Sequence, residues 1–516
     1  MNNNIQPPIT DDNGTTDPLI KHFEQLKKSR CDQHNEILNQ LLYQIEKVDY
    51  EAIAFPQIIG YREALERPDI KPEEKKLILH EMEKLKLTHK HLLVISIEKI
   101  IEAAAKNRWG LCKNHDFIYL FNGAFWDEVD KEEFQKFLGE ASERMGVPLF
   151  TSRYYQFREQ LGKQFIATAY LPTPIPSDDE VLINLQNGTF QITKTGTTLR
   201  AFAPDDFLTY QLPFDYNPTA TAPQWEAFLN EVLPDMSRQH VLAEYLGYLF
   251  LKHGGGGIKA EKALILYGLG ANGKSVVYEV INAMLGSENV GNYSLQSLTN
   301  ENGYFRARLA TLILNYASEI NGKLESSILK QLVSGEPVEA RLPYGLPFIL
   351  KKYAKLIFNC NELPKDVEHT NAYFRRFLII PFDVTIPEDK QDRFLHTKII
   401  STELAGVFNW VLQGLNRLLD QSGFSECDAA RQAVEQYKNE SNSVKIFLDE
   451  KEYHPSIDGF HLIKELYAEY KLLCSDDGMV PFKKINFSKQ LIALGIRIGR
   501  QSGTGQKIAF LAKTND

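Results

Sequence analysis

The stretch YGLGANGKS, Tyr267 to Ser275, places Gly268, Gly273, Lys274 and Ser275 at the fixed positions of the pattern G-x-x-x-x-G-K-[ST]. Glycines in such a turn let backbone N–H groups approach phosphate oxygens, and a helix that starts there adds a favourable dipole. Lys274 would serve the β- and γ-phosphates, and the Ser275 hydroxyl would ligate Mg²⁺. A chance glycine turn is the alternative. Against it stand the apolar run Ala263 to Leu266 before the turn and the helical pattern VVYEVINAMLG after it. Strand, loop and helix form the context this chemistry needs. Gly268, Gly270, Asn272, Gly273, Lys274 and Ser275 are the candidate nucleotide-binding set.

Further candidates follow in chain order. ATLILNYASE is an apolar strand closed by Glu319, 45 residues after Lys274. A carboxylate at a strand end beside a phosphate loop can polarise an attacking water or hold Mg²⁺ through water; alone it would read as a surface glutamate. KLIFNCNELP brings Asn361, 42 residues later. Its amide can orient that water or contact the γ-phosphate, or it can cap the turn before Pro364. YFRRFLIIPF sets Arg375 and Arg376 ahead of a fourth apolar strand. In ring ATPases an arginine here reaches the neighbour's nucleotide, and Arg376, next to the strand, is the first choice. A solvated basic pair is the alternative. Between Glu319 and Asn361 lies LKQLVSGEPVEARLPYGLPFILKKYAK, which starts as a helix and continues as a glycine- and proline-rich hairpin. Its Arg341, Tyr344, Phe348, Lys351, Lys352 and Lys355 mix cations with aromatics, which suits single-stranded nucleic acid. A structural hairpin with solvated lysines is the alternative.

The chain that must position these groups has 516 residues, 43% hydrophobic and 24% charged, the balance of a globular protein with several domains. No run of 18 apolar residues occurs, so no membrane span is expected. Residues 1–17 are polar and read as a disordered tail, not a secretory signal. None of the five cysteines forms a C-x-x-C pair, so neither a zinc ribbon nor a disulfide framework is supported. A cytoplasmic location is the simplest expectation. The net charge of -9 argues against a protein that coats DNA with its whole surface. Local patches remain: four basic and no acidic residues from Ala340 to Lys355, seven basic and none acidic from Gly478 to Lys513.

Helical spacing marks residues 18–109, with charges best read as a solvated face. Residues 110–250 form a mixed α/β region, in which FIYLFNGAFWDEV and VLINLQNGTFQI carry Asn-Gly hairpin signals. Residues 258–438 alternate ALILY, TLILNY, KLIFNC and FLIIPF with helices, as buried parallel strands would. An apparent linker, KNESNSV, leads to residues 443–516. There a helix, KKINFSKQLIALG, precedes a hairpin over IRIGRQ-SGTG-QKIAFL, the plan of a winged helix. Lys483, Lys484, Lys489, Arg497 and Arg500 are its candidate DNA contacts; a protein-interaction module is the alternative.

The order GLGANGKS, NYASE, FNCNELP and FRRF resembles superfamily 3 helicases, AAA+ ATPases of viruses, phages and plasmids. SGEPVEARLPYGLPF resembles their DNA-contacting hairpin. Among them the phage and plasmid primase-helicases, including the poxvirus type, are most similar, over roughly residues 110–510. The resemblance implies an α/β AAA+ core with a parallel sheet and a C-terminal winged helix. It implies a homo-hexamer that uses ATP and Mg²⁺ and moves on single-stranded or forked DNA during replication of a mobile element. Lys274, Ser275, Glu319 and Asn361 would come from one subunit and Arg376 from the next; Arg341, Tyr344, Lys351, Lys352, Lys483, Lys484 and Arg500 would meet DNA. Two departures stand out. Ser318 precedes Glu319 where the family often has two acids, and the first 109 residues lack the D-x-D pair or zinc-type cysteines of a primase. Primer synthesis is therefore not expected of this chain, and a separate primase is a candidate partner. An ATP-dependent initiator or loader, or a nucleotide kinase or signalling ATPase, are the competing classes.

Overall fold

In the computed structural model the described residues are 36–107, 109–114, 117–169, 180–251, 258–318, 320, 326–342, 345–364, 367–476 and 479–513. The chain divides into two compact units, residues 1–216 and 217–516.

After a helical stretch over residues 36–44, the first unit has helices over Tyr50–Ala54, Gln57–Glu66 and Pro72–Lys84, followed by α1 (His89–Lys106). An antiparallel sheet follows: β1 (Leu111–Asn114), β2 (Phe117–Phe121) and β3 (Trp126–Glu128). The first expected Asn-Gly hairpin joins β2 to β3, and the Asn122 side chain accepts from the Ala124 and Phe125 N–H groups at 3.0 Å. Helices α2 (Lys131–Met145) and α3 (Tyr155–Thr168) pack with α1 around Phe134, Leu138, Phe157, Leu161 and Phe165. The second expected hairpin opens a three-stranded meander, β4 (Glu180–Leu185), β5 (Gly188–Thr193) and β6 (Gly196–Arg200).

The second unit begins with α4 (Pro223–Val232) and α5 (Met236–Tyr248), which the sequence pattern assigned to the region before the ATPase. Their partners explain the difference. At the amino end of α4 the Glu403 carboxylate accepts from the backbone N–H groups of Gln224 and Trp225 at 3.1 Å and from the Gln224 side chain at 3.0 Å. On α5 the buried Glu244 accepts from Arg417 at 2.6 Å and from the Ser425 N–H at 2.8 Å. These contacts bridge more than 170 positions of sequence, beyond the reach of local pattern.

Next come β7 (Ala263–Tyr267), α6 (Lys274–Leu285), β8 (Val290–Gly291), β9 (Leu314–Ala317), α7 (Ser326–Ser334), β10 (Val338–Ala340), β11 (Phe348–Leu350), β12 (Lys355–Cys360) and β13 (Phe377–Pro381). Five of these strands form one parallel sheet in the order β13-β7-β12-β9-β8. Its centre is fully buried: Ala263 to Leu266, Ile357, Phe358, Ile379 and Ile380 are all 0% exposed. This is why those runs are apolar without alternation. The two-residue edge strand β8 is too short to leave a pattern and was not expected. Helices α8 (Leu404–Gln421) and α9 (Asp428–Glu440) follow, α8 against α5 and α9 against β13.

The apparent linker is a tight helix junction. Ser441, Asn442 and Ser443 are buried, and the Asn442 side chain caps α10 (Ser443–Glu450). The rest of the C-terminal part comprises β14 (Tyr453–Pro455), β15 (His461–Leu462), α11 (Ile463–Asp476), α12 (Lys484–Ala493), β16 (Ile498–Arg500), β17 (Lys507–Ala509) and β18 (Leu511–Lys513). The expected hairpin is present as β16 against β17, with Arg500 opposite Lys507. Cys112, Cys360, Cys427 and Cys474 are buried, and none of these four is in a disulfide. Among the described residues no helix is long and apolar enough to cross a membrane.

Glu403→Ala removes a buried carboxylate from the start of α4 and leaves its first N–H groups unpaired. A loss of about 2–3 kcal/mol is expected, read as a lower urea midpoint, and Glu403→Gln should recover part of it. An unchanged midpoint would show that α4 is held by its apolar face alone.

Candidate functional site

Within the parallel sheet, β7 leads by way of α6 across to β8, whereas the chain leaving β12 crosses back over β7 to β13. Right-handed crossovers that run in opposite directions lie on opposite faces, so a crevice opens between the carboxyl ends of β7 and β12. The glycine turn emerges into this crevice. Tyr267 lies level with Cys360 and Pro381, the Gly268 N–H donates to Cys360 O at 3.2 Å, and the Phe382 N–H donates to Tyr267 O at 2.7 Å.

Glycine is required twice in this turn. A Cβ on Gly268 would stand 2.5 Å from the Phe382 carbonyl oxygen. Gly273 has φ +83°, and a Cβ there would lie 2.8 Å from Phe228 and 2.9 Å from Val232 of α4. The turn is thus pressed between the end of β13 and α4. Asn272 is buried and donates to Phe382 O at 3.2 Å. Its oxygen accepts from the Lys274 ammonium at 3.0 Å, and Gly268 O and Leu269 O accept from the same group at 2.5 and 3.3 Å. Burial pushes the Lys274 pKa down. Lys274 is therefore held inside the turn by three of its own oxygens, next to the start of α6. Ser275 is exposed one position further on, Gly270 is exposed in open space, and Asn361 is exposed immediately after β12. Glu319 and Tyr344 lie outside the described residues.

Sequence pattern gave no sign of Arg238, on α5. Its guanidinium donates to Pro381 O at 2.7 Å and to Asp383 at 2.8 Å. With Tyr267, Leu363, Gln436 and Tyr437 it lines a cleft of about 160 Å³ beside the carboxyl ends of β7 and β13.

Arg375 and Arg376 lie at the other end of the sheet. The Ala263 N–H, at the start of β7, donates to Arg376 O at 2.8 Å. The length of β7, about 15 Å at 3.3 Å per residue, separates them from the glycine turn. The pair divides in the sense opposite to the expectation. Arg376 is 8% exposed, and its guanidinium donates to Ser334 Oγ at 2.9 and 3.1 Å, to Lys330 O at 3.3 Å and to Ala372 O. It fastens α7 to the root of β13. Arg375 has its side chain 63% exposed, against Glu261 at 3.4 Å.

β10 and β11 pair antiparallel, Ala340 opposite Phe348, and form the expected hairpin. The buried Arg306 donates to Glu339 O and Leu298 O at 2.9 Å and holds the hairpin's base. Arg341 is half-buried, with its guanidinium 5.1 Å over the Tyr304 ring and a 3.0 Å bond to the Tyr304 hydroxyl. Lys351 and Lys352 follow β11 on the surface, and Leu346 near the tip is 82% exposed. Lys355 does not join them. It is 6% exposed, donates to Leu251 O, and sits 4.3 Å over the Tyr248 ring. As the first residue of a central strand it points inward. In the C-terminal part Lys483, Lys484, Lys489, Arg497 and Arg500 are exposed, with Arg497 stacked 3.8 Å from the Phe510 ring. Among the described residues no group of three or more His, Cys, Asp or Glu side chains is placed to hold a metal ion.

Two family models match parts of the chain: "D5 N terminal like" over residues 98–234 and a family of unknown function, DUF5906, over residues 266–376. The second spans the glycine turn, the hairpin and the arginine pair. A protein of Acanthamoeba polyphaga mimivirus named "Putative helicase L207/L206" is 25% identical over 240 residues, 44% of this chain and 24% of that protein. The chain thus spans about a quarter of that relative's length. The D5-like segment and the mimiviral match support a relation to phage and viral primase-helicases. Two solved structures of the NrS-1 C-terminal region, both apo, cover 80% of this chain and 98% of their own, at 13% and 12% identity with TM-scores of 0.46 and 0.44.

Burial pushes the Lys355 pKa down to about 7. Between that value and the ordinary lysine pKa near 10.5 the unfolded chain binds a proton that the folded chain does not, so the folded state gains stability as pH rises. Lys355→Met should stabilise most near pH 6–7. Its advantage should shrink by up to about 1.4 kcal/mol per pH unit above that, checked by urea titrations across pH 6–10. A pH-independent difference would mean that Lys355 titrates normally.

Proposed function

We propose that the chain is an ATP-driven DNA helicase subunit with an AAA+ core of the superfamily 3 type. The observation that carries this reading is the glycine turn at the sheet's switch point, with Lys274 buried at its centre and α6 starting directly after Gly273. ATP phosphates would lie along the turn's N–H groups and the α6 amino end, Lys274 exchanging loop oxygens for phosphate oxygens. Mg²⁺ would be held by Ser275 and, through water, by Glu319, with Asn361 orienting the attacking water. The cleft beside Arg238 and Tyr267 is the candidate seat for the base.

An arginine about 15 Å away, at the amino end of β13, serves another copy's nucleotide and not its own. This supports a ring, taken to be a hexamer as in the family. Arg375 is the arginine to assign across the interface, because its guanidinium is exposed, whereas Arg376 is spent on Ser334 and α7. The β10–β11 hairpin with Lys351 and Lys352 would face single-stranded DNA, and the C-terminal part, read as a winged helix, would present Lys483, Lys484 and Arg500. Replication of a phage, plasmid or viral element is the setting that the relatives suggest, with a separate primase as a candidate partner.

ATP-dependent unwinding of a forked duplex by the wild type, absent in Lys274→Ala, is the expected result. ATP turnover without unwinding would favour an initiator or loader. Arg375→Ala should keep nucleotide binding and lose turnover by about 10³-fold or more, the scale of an arginine acting on a phosphoryl transition state. Mixing it with Lys274→Ala should restore partial turnover, since one subunit then supplies each missing group. Wild-type turnover in Arg375→Ala would remove the assignment.

A further inference from the structure

The first unit carries a surface that the nucleotide site does not use. Helix α2 ends at Gly146, the chain passes through Pro148 into a short helix over Leu149–Ser152, and α3 begins at Tyr155. At this corner Pro148, Leu149, Phe150, Arg153, Tyr154, Tyr155 and Gln156 are all exposed. Phe150 is 88% exposed, Tyr155 66% and Tyr154 48%. The positions that face inward are already filled by Val147, Ser152 and Phe157, so the rings are not needed to complete the core. Contiguous exposed apolar residues on a soluble protein mark a binding surface more often than chance.

The corner is also rigid. Ser152 Oγ donates to Leu149 O at 3.0 Å, Arg158 Nε donates to Ser152 O at 3.2 Å, and Arg153 makes two 3.0 Å bonds to Glu143. The Tyr154 and Tyr155 rings stand 5.1 Å apart at 66°, and the Gln156 amide donates to the Tyr155 hydroxyl at 3.0 Å. Phe150 precedes Tyr154 by about one turn, since the Arg153 N–H bonds Leu149 O and the Tyr154 N–H bonds Thr151 O.

The chemistry selects the occupant. Three of the exposed apolar groups are flat rings. Between Met145 and Arg158 there are two basic residues and no acid, and the flanking carboxylates are engaged, Glu143 by Arg153 and Glu159 by Lys163. Weak positive charge with several π faces suits unpaired bases, which stack without regard to sequence. It suits duplex DNA poorly, because duplex binding rests on many phosphate contacts. We propose that Phe150, Tyr154 and Tyr155 form a stacking platform for single-stranded DNA, separate from the β10–β11 hairpin. The platform is independent of whether the glycine turn drives unwinding.

The test uses the full chain without nucleotide and a fluorescein-labelled oligo(dT), followed by anisotropy over a series of salt concentrations. Phe150→Ala/Tyr155→Ala should bind about tenfold or more weakly with an unchanged salt slope, because bases lose stacking while phosphate contacts remain. Phe150→Trp/Tyr155→Trp should bind as the wild type does. Lys351→Ala/Lys352→Ala should instead flatten the salt slope. Wild-type affinity in Phe150→Ala/Tyr155→Ala would overturn the platform and leave the surface to a protein partner. An equal loss on a blunt duplex would overturn it too. Because the assay contains no ATP, its failure leaves the unwinding experiment with Lys274→Ala to judge the helicase reading separately.

Discussion

The Glu403 carboxylate at the start of α4 is the contact on which the geometry of the second unit rests. It meets the Gln224 and Trp225 N–H groups from 179 and 178 residues away. A buried carboxylate there satisfies donors that a helix leaves unpaired at its amino end and complements the helix dipole. Once α4 is held, Phe228 and Val232 form the wall against which only a glycine fits at 273. That contact, with Phe382 behind Gly268, sets the shape of the turn. The position of Lys274 then follows, because the oxygens that hold its ammonium belong to the turn itself.

The parallel sheet separates two kinds of group along its strands. The glycine turn and Asn361 stand at the carboxyl ends, where crossovers diverge and a crevice opens. Arg375 and Arg376 stand at the amino ends. A single copy cannot bring the two sets together, so any chemistry that needs both belongs between copies. The same arrangement accounts for the unequal arginines, since Arg376 closes the gap between α7 and β13 while Arg375 is left to solvent and Glu261.

Two of the cations whose residue type suggested nucleic acid make structural contacts. Arg341 stacks over the Tyr304 ring and bonds its hydroxyl, beside Arg306, which holds the hairpin's base through backbone oxygens. Lys355 sits over Tyr248 inside the unit. An ammonium can be buried when a carbonyl and a ring face replace part of its hydration, though its charged form is then disfavoured. Counting basic residues along a segment therefore overstates the charge that a strand of DNA would meet.

Local signals determined much of this protein. The spacing of Gly268, Gly273, Lys274 and Ser275 located the turn. The continuous apolar runs located the four longer strands of the parallel sheet, and the Asn-Gly pairs located two hairpins, because each property acts over a few residues. Tertiary structure alone decided what depends on distant partners. It placed α4 and α5 with the second unit, buried Ser441 to Val444 of KNESNSV in a helix junction, and brought Arg238 beside Asp383. It also chose which of two adjacent arginines is exposed. Neighbouring positions share nearly the same sequence context, and only the packing of α7 against β13 distinguishes Arg376 from Arg375.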